Sequence, residues 1–170
     1  MEIYLVRHAE AVERVEELED STRWLCKKGR KSLQKTASRL RKNRVRPDLI
    51  ITSPLTRAVQ TAELLMAEVG SRAELIANNN LAPEATAEQV VELIRSQGKL
   101  NSIMLVGHEP LLGQTAALLL KMERVAGLAK GSCLCLELHK NPEKPSRFNW
   151  YAAAGSIMIR SAKKALVPAE

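Results

Sequence analysis

The chain has 170 residues and a formal net charge of +7, with 45% apolar and 3% aromatic residues. This length and composition predict a single globular domain over residues 1–170, with a core built from Leu, Val, Ile and Ala. No apolar run approaches the roughly 18 residues of a membrane span. The short apolar run at the N-terminus meets Arg7 at once, which is unlike a secretory signal. We therefore expect a soluble, cytoplasmic protein without a membrane contact.

The three cysteines indicate neither a disulfide framework nor a metal site. Their number is odd, and Cys26 is far in sequence from Cys133 and Cys135. A Cys-x-Cys pair supplies two ligands, whereas a zinc site usually needs four, so we expect no metal. On a strand, Cys133 and Cys135 share one face, and we expect them to be small core residues.

Basic residues are concentrated between Arg23 and Arg46, where eleven Lys or Arg occur without an Asp or Glu. Such a stretch can attract nucleic acid, anionic lipid or an acidic partner protein. The simpler interpretation, which we favour, is the solvated face of a helix. No aromatic-rich platform for RNA accompanies the stretch, so no nucleic-acid partner is expected.

The first predicted strand is the apolar run Ile3 to Val6, which ends in Arg7 and His8. This end places a guanidinium and an imidazole at the sheet edge where α/β folds usually bind ligands. The pair is by itself a weak signal, because an Arg-His dipeptide after a strand is more often incidental than catalytic. The charged segment Ala9 to Ser21 follows, and we expect a loop that could hold a helical turn through Val12 to Leu18.

A basic helix and a second strand come next. Leu33, Ala37 and Leu40 recur at i, i+4 and i+7 and form one apolar stripe of a helix. The proline-containing turn Val45 to Asp48 ends this helix. The apolar run Leu49 to Thr52 then predicts a second short strand.

Ser53 and Pro54 predict the start of a helix that extends to about Val69, with Ser53 as the N-cap. Arg57 falls in the first turn of this helix and, like Arg7, lies just past the end of a strand. The free amide groups of a helix N-terminus favour an anion there. Taken alone, however, Arg57 would be an ordinary surface arginine.

The next strand-and-helix unit begins with Glu74 to Ala77, a third predicted strand, and continues in the loop Asn78 to Ala85. Thr86 and Gln89 fit a capping box that opens a helix to about Gln97.

A fourth strand brings a second histidine to the pattern. The apolar run Ile103 to Val106 is typical of a central strand that is buried on both faces. His108 follows it, just before a helix through Leu111 to Leu120, and so repeats the position of His8.

The C-terminal part predicts a hairpin and carries no further chemistry. Cys133 to Leu138 alternates as a strand, and Arg147 to Tyr151 returns as its partner. His139 is expected at the exposed end of the first of these strands. Ser156 to Ile159 suggests a further strand, and Lys163 to Glu170 a loose tail.

Strands and helices alternate through the first 120 residues, which predicts an α/β fold with a largely parallel sheet. The carboxyl ends of three strands then carry four candidate site residues to one edge, namely Arg7, His8, Arg57 and His108. Guanidinium groups bind phosphoryl oxygens bidentately, and a neutral imidazole can attack phosphorus directly. The set therefore suits phosphoryl transfer without a metal or other cofactor.

Three stretches resemble the histidine phosphatase superfamily, the phosphoglycerate mutase-like proteins. Leu5-Val6-Arg7-His8-Ala9-Glu10 resembles the first motif, R-H-G/A. The run from Ser53 to Ala62 resembles the second motif, and Val106-Gly107-His108-Glu109-Pro110 the third. Their order and spacing and the short chain are most similar to the SixA-type phosphohistidine phosphatases.

This resemblance implies a three-layer α/β sandwich, with a mixed, mostly parallel sheet and helices on both faces. It implies that His8 is the nucleophile and becomes a phosphohistidine that water hydrolyses. Arg7 and Arg57 would clamp the phosphoryl oxygens, and His108 would hydrogen-bond the phosphoryl group and stabilise the transition state.

The sequence departs from the family pattern at two positions and leaves the general acid open. Ala9 stands where many relatives have Gly, from which little follows. Cys26 replaces the usual Thr before the first helix, and since Cys is a poor N-cap we expect a weaker helix start. Larger relatives use a Glu or Asp after the third strand as the acid. Glu84 lies about there, and the competing interpretation is a surface or helix-leading carboxylate.

The missing acid bears on the substrate. An imidazole leaving group, whose conjugate acid has a pKa of about 6.5, departs with less protonation than an alkoxide. We therefore favour a phosphohistidine phosphatase acting on the phosphotransfer domain of a signalling protein, as a monomer. The alternatives are a phosphatase for small phosphate esters and a non-catalytic module that holds a phosphate group.

Overall fold

The computed structural model describes residues 1–153 and 157–167. A six-stranded sheet forms its centre, with the order β3-β2-β4-β1-β5-β6. The strands are β1 (Glu2–Arg7), β2 (Leu49–Thr52), β3 (Glu74–Ala77), β4 (Ser102–Gly107), β5 (Cys133–Glu137) and β6 (Arg147–Ala152). The expected α/β class with a mixed, mostly parallel sheet is therefore confirmed.

Parallel pairing brings the carboxyl ends of the first four strands to one edge. Strand β1 pairs in parallel with β4, with Arg7 opposite Gly107. Strand β2 also pairs in parallel with β4, so that Thr52 lies opposite Val106. Strands β5 and β6 add an antiparallel hairpin beside β1, as the alternating sequence predicts. The residues that follow β1, β2 and β4 therefore emerge side by side.

Helices cover both faces of the sheet. They are α1 (Lys27–Lys42), α2 (Thr56–Val69), α3 (Ala87–Ser96), α4 (Leu111–Leu120) and α5 (Ala162–Leu166). One core cluster packs α1 and α2 against the sheet, and the other packs α3, α4 and α5 against the opposite face. In β4, Met104 belongs to the first cluster and Leu105 to the second. This alternation explains why the strand is apolar at successive positions, and it confirms the three-layer arrangement.

The helix starts follow the sequence signals in two cases. Cys26 is the N-cap of α1, and its Sγ accepts a hydrogen bond from the backbone N–H of Gly29 at 3.3 Å. Thr86 and Gln89 form both halves of the predicted capping box at α3.

The start of α2 differs from the prediction. The helix begins at Thr56, after Leu55, and not at Ser53-Pro54. Ser53 is fully buried and its Oγ accepts a hydrogen bond from the Leu55 N–H at 3.3 Å, which makes a short turn before the helix. The Ser-Pro signal therefore marks the turn that leaves the sheet, and the helix follows it.

Two other segments differ from the expected loop and tail. In the segment after His8, the helical turn expected through Val12 to Leu18 is reduced to one hydrogen-bonded turn, in which the Leu18 N–H donates to the Val15 carbonyl at 3.2 Å. A 3-10 turn follows at Asp20–Thr22. In the C-terminal tail, Ala162–Leu166 forms α5, because the buried Leu166 joins the core.

The sequence suggests a strand at Ser156 to Ile159. Ser156 lies outside the described residues, and Ile159 makes a single antiparallel bridge with Tyr151. Residues 168–170, the end of the expected tail, also lie outside the described residues. In the part of the chain that the structure describes, no helix is both long and apolar enough to cross a membrane.

Candidate active site

Two histidines from neighbouring strand ends face each other at the carboxyl edge of the sheet. The ring centroids of His8 and His108 are 5.0 Å apart, and the rings are inclined at 57°. His8 is 9% exposed and His108 is 3% exposed. The backbone N–H of His8 donates to the Gly107 carbonyl at 3.0 Å, which ties the two strand ends together.

The His8 ring is held in one tautomer. Its Nδ1 lies 2.7 Å from the Ala9 carbonyl oxygen. A carbonyl oxygen can only accept, so Nδ1 carries the hydrogen and Nε2 keeps its lone pair. Burial, together with the charges of Arg57 and Arg7, lowers the pKa of His8 to about 4, against the opposing effect of the Ala9 hydrogen bond. The imidazole is therefore neutral at pH 7, with an unprotonated Nε2.

A threonine of α2 fixes the backbone beside this ring. The Ala9 N–H donates to Thr61 Oγ1 at 3.1 Å, and Thr61 in turn donates to the Arg57 carbonyl at 2.7 Å. The segment after His8 is thus tied to the helix that carries Arg57.

His108 contacts a residue that the sequence pattern assigns to another role. Its Nε2 lies 2.8 Å from Ser53 Oγ, and Ser53 is fully buried. Burial lowers the pKa of His108 to about 3, with further contributions from His8 and Arg57. Ser53 therefore orients a neutral His108, whereas its position before Pro54 predicts the N-cap of a helix.

Arg57 is almost completely buried, with 4% exposure, and both of its terminal nitrogens contact Asp20. Nη1 donates to the Asp20 carbonyl oxygen at 2.6 Å, and Nη2 donates to Asp20 Oδ2 at 2.9 Å. The other carboxylate oxygen of Asp20 accepts from Arg23 at 2.7 Å and from Arg14 at 2.9 Å. Asp20 is not among the residues predicted from the sequence, because it lies in a charged loop without a motif.

Arg7 is the last residue of β1 and directly precedes His8. Its Nη1 donates to the Leu128 carbonyl at 2.7 Å, and its buried Nε has no partner among the described residues. Glu109 supports the same loop, because its Oε1 accepts from the Leu128 N–H at 3.2 Å. Burial raises the pKa of Glu109. Arg7 thus has its Nη1 held by a backbone carbonyl, while its buried Nε–H has no acceptor among the described residues.

Glu84, the candidate acid, is exposed in the turn between Leu81 and α3. Among the described residues, none of the four site residues is hydrogen-bonded to it. The described residues also contain no group of three or more His, Cys, Asp or Glu that could hold a metal ion. Cys133 and Cys135 are buried in the core, as expected.

His8 and His108 therefore lie next to each other at the carboxyl edge of the sheet, close enough to Arg7 and Arg57 for both positive charges to act on the two rings. The sequence profile of the histidine phosphatase superfamily (branch 1) matches residues 3–82, which include His8 and Arg57. The chain belongs to the histidine phosphatase superfamily. Its activity is accordingly that of a phosphatase, as the resemblance of the three motifs implied.

The chain is similar to a curated protein and to solved structures. It is 37% identical over 119 residues to an uncharacterized protein of Picosynechococcus sp. (strain ATCC 27264 / PCC 7002 / PR-6), covering 68% of this chain and 71% of that protein.

Two solved structures show the same fold. The protein histidine phosphatase SixA, complexed with tungstate, superposes with a TM-score of 0.82 at 22% identity, over 90% of this chain and 97% of SixA. The mycobacterial glucosyl-3-phosphoglycerate phosphatase, in a complex with VO3, gives a TM-score of 0.67 at 20% identity, over 90% of this chain and 99% of that protein. The SixA-like fold expected from the motifs is therefore confirmed.

Proposed function

We propose that this phosphatase removes the phosphoryl group from phosphohistidine through a covalent intermediate on His8. The observation that carries the proposal is the state of the His8 ring. Its Nδ1–H is held by the Ala9 carbonyl at 2.7 Å, and no described residue hydrogen-bonds Nε2. The ring is thus neutral and fixed in orientation, and its Nε2 lone pair is unoccupied, as a nitrogen nucleophile requires.

In the first step, the lone pair of His8 Nε2 attacks phosphorus. A nitrogen–phosphorus bond forms there, while the bond from phosphorus to the leaving imidazole nitrogen breaks. The leaving imidazole takes a proton from solvent. Arg7 and Arg57 bind the phosphoryl oxygens and offset their charge, and His108 stabilises the same oxygens in the transition state.

In the second step, water attacks the phosphorus of phospho-His8. An oxygen–phosphorus bond forms, the bond to Nε2 breaks, and the water gives up a proton to solvent. The products are orthophosphate and neutral His8, so the site returns to its starting state. The carbonyl of Ala9 can hold the same tautomer throughout. His8 releases phosphate without taking up a proton on Nε2.

The surroundings of the phosphoryl site favour an imidazole over an alkoxide as the leaving group. An alkoxide needs a proton donor, and Glu84, the carboxylate nearest to the family's pattern, is exposed and hydrogen-bonded to none of the four site residues. Imidazole leaves readily because its conjugate acid has a pKa of about 6.5. The similarity to SixA, named a protein histidine phosphatase, supports the same substrate class.

A protein substrate is supported by the basic N-terminal part of α1. The Cys26 N–H donates to the Glu10 carbonyl at 3.1 Å. Because Glu10 is two residues after His8 in the sequence, the start of α1 lies beside the segment that follows His8. Lys27, Lys28 and Lys31 are exposed there. Positive charge beside the site would steer an acidic phosphotransfer domain toward it. A signalling role, a cytoplasmic location and a monomeric single-domain state are parts of this proposal.

A phosphatase for small phosphate esters is the second candidate. A methyl group placed at Gly107 would lie 3.5 Å from the Leu81 carbonyl oxygen, so the turn that carries Glu84 begins beside the residue that precedes His108. A movement of this turn could bring a carboxyl group to an ester oxygen. The similarity to glucosyl-3-phosphoglycerate phosphatase fits this alternative.

The two candidates are separated by a panel of phosphorylated phosphotransfer domains and small phosphate esters. We expect phosphate release from the proteins, complete loss of activity in His8→Ala and no change in Glu84→Gln. Rapid cleavage of esters with intact phosphohistidine would favour the second candidate, above all if Glu84→Gln then abolished turnover. Trapping of labelled phosphate on His8 after acid-free quenching would identify the intermediate directly.

A further inference from the structure

Asp20 occupies the face of Arg57 that a phosphoryl group would use. Its carbonyl oxygen and its Oδ2 accept from Nη1 and Nη2 of Arg57, at 2.6 and 2.9 Å. This is the two-point arrangement by which a guanidinium binds a carboxylate or a phosphate. An anion that approaches Arg57 therefore meets an acceptor pair already in place.

The loop that carries Asp20 can release Arg57 without leaving its carboxylate unpaired. Oδ1 of Asp20 is bound by Arg23 at 2.7 Å and by Arg14 at 2.9 Å. Arg23 is itself anchored, since its Nε and Nη2 donate to the Val12 carbonyl at 2.9 and 2.7 Å. The side chain of Asp20 is 38% exposed, whereas that of Arg57 is 4% exposed. Asp20 is therefore the partner that can turn toward solvent, whereas the Arg57 side chain is enclosed.

Charge makes the two occupants exclusive. The phosphoryl group of the substrate and the orthophosphate product both carry negative charge at pH 7. Asp20 is also negative, because its bonds to Arg23 and Arg57 lower its pKa to about 2 against the opposing effect of burial. Two anions at one guanidinium repel each other. Binding of one occupant must then weaken the contact of the other.

We propose that Asp20 determines the phosphate affinity of the site, by holding Arg57 in the empty enzyme and competing with phosphoryl oxygens for its two terminal nitrogens. The inference rests on the proposed function in one respect, that Arg57 binds the phosphoryl group. Asp20 is a positioning residue in this exchange, because it acts through Arg57. Its return to Arg57 after hydrolysis would help to expel orthophosphate, which two arginines would otherwise retain.

The test is the affinity of the protein for inorganic phosphate, measured by titration calorimetry and by inhibition of turnover. Replacing Asp20 with Asn keeps the shape and removes the charge, and Asp20→Ala removes the side chain. In both variants we expect the dissociation constant of phosphate to fall on the order of tenfold. A residue with a merely structural role would weaken binding when removed, so tighter binding is the distinguishing result.

Two controls define the cause of the change. Glu19→Gln removes the same charge from the neighbouring exposed position and should leave the phosphate affinity within about twofold of wild type. In an Arg57→Gln background, Asp20→Asn should no longer tighten binding, because the contact through which it acts is gone. Thermal unfolding and near-ultraviolet circular dichroism show whether each variant is folded.

Unchanged or weaker phosphate binding in both folded Asp20 variants would overturn the proposal while leaving the proposed function intact. Equal tightening in Glu19→Gln, or persistent tightening without Arg57, would also overturn it, since a general charge effect would then be responsible. If Arg57→Gln alone left phosphate binding and turnover unchanged, the proposed role of Arg57 would fail, and the inference about Asp20 with it.

Discussion

Mild acid should lower the free energy of unfolding of this protein far more than protonation of its carboxylates alone would. His8 and His108 are buried and neutral, and their pKa values are lowered to about 4 and about 3. Unfolded histidines take up protons below about pH 6.5. Between pH 6.5 and about 4 the unfolded chain therefore binds more protons than the folded protein, and the free energy of unfolding falls as the pH falls.

The expected loss follows from the width of this window. From pH 6.5 to pH 5 is 1.5 pH units, and each unit corresponds to about 1.36 kcal/mol per group, or about 2 kcal/mol for each histidine. The two together give about 4 kcal/mol, a large part of the ~5–15 kcal/mol by which domains are usually stable. Asp20 does not contribute in this range. Its pKa is lowered to about 2, so its stabilisation is lost as the pH falls through the region below its ordinary value of 3.8.

Urea unfolding near pH 7 and near pH 5 measures this difference. Wild type should lose about 4 kcal/mol, and His108→Gln should lose about 2 kcal/mol, because one of the two buried imidazoles is absent. His139→Gln, which changes the histidine after β5, serves as the control and should behave as wild type. A loss below about 1 kcal/mol in wild type, or an equal loss in His108→Gln, would refute the assignment of neutral, buried histidines.

Three further predictions concern packing and charge around the site. In Gly29→Ala, the new methyl group would lie 2.0 Å from the Glu10 carbonyl oxygen, so we expect thermal unfolding to show a loss of about 3 kcal/mol and turnover to fall. Thr61→Val leaves the buried Ala9 N–H without its acceptor and should cost about 2 kcal/mol in urea unfolding. Lys28→Glu should lower kcat/KM for an acidic phosphoprotein roughly fivefold at low salt and leave a small phosphoramidate unaffected.

Each of these changes has a matched control. Gly98→Ala meets one backbone oxygen at 3.3 Å and should cost much less than Gly29→Ala. Thr115 bonds to the Leu111 carbonyl of its own helix, so Thr115→Val leaves no N–H unpaired. Lys99→Glu reverses a charge beside the amino end of β4, away from the site. Equal effects in a variant and its control would contradict the corresponding explanation.

Local patterns were enough to place most of the sheet. The predicted bounds of β2 and β3, Leu49–Thr52 and Glu74–Ala77, agree with the structure. Both strands are short apolar runs between turn residues, and a pattern of this kind depends on few distant contacts. The capping box at Thr86 was also predictable, since both of its hydrogen bonds join residues three apart.

Ser53 shows where a local pattern misleads. Serine before proline is a common helix start, because its hydroxyl can accept from a free backbone N–H. In this fold the same hydroxyl accepts from the Leu55 N–H and also contacts His108, 55 residues away in sequence. The tertiary partner gives the serine its role at the site, and no spacing within the motif reveals that partner.

Asp20 lies beyond the reach of motif reasoning for a related reason. It is one of six carboxylates between Glu10 and Asp20, and neither charge nor periodicity distinguishes it from the other five. Its importance arises when α2 brings Arg57 to the loop, across 37 residues of sequence.

The family motifs supply cations for a phosphoryl group, but they do not show which group neutralises a buried arginine while the site is empty. A guanidinium with 4% exposure needs an anion at all times, because leaving it unpaired is costly. The empty site must therefore contain a competitor for the substrate, and its strength sets how tightly phosphate can bind.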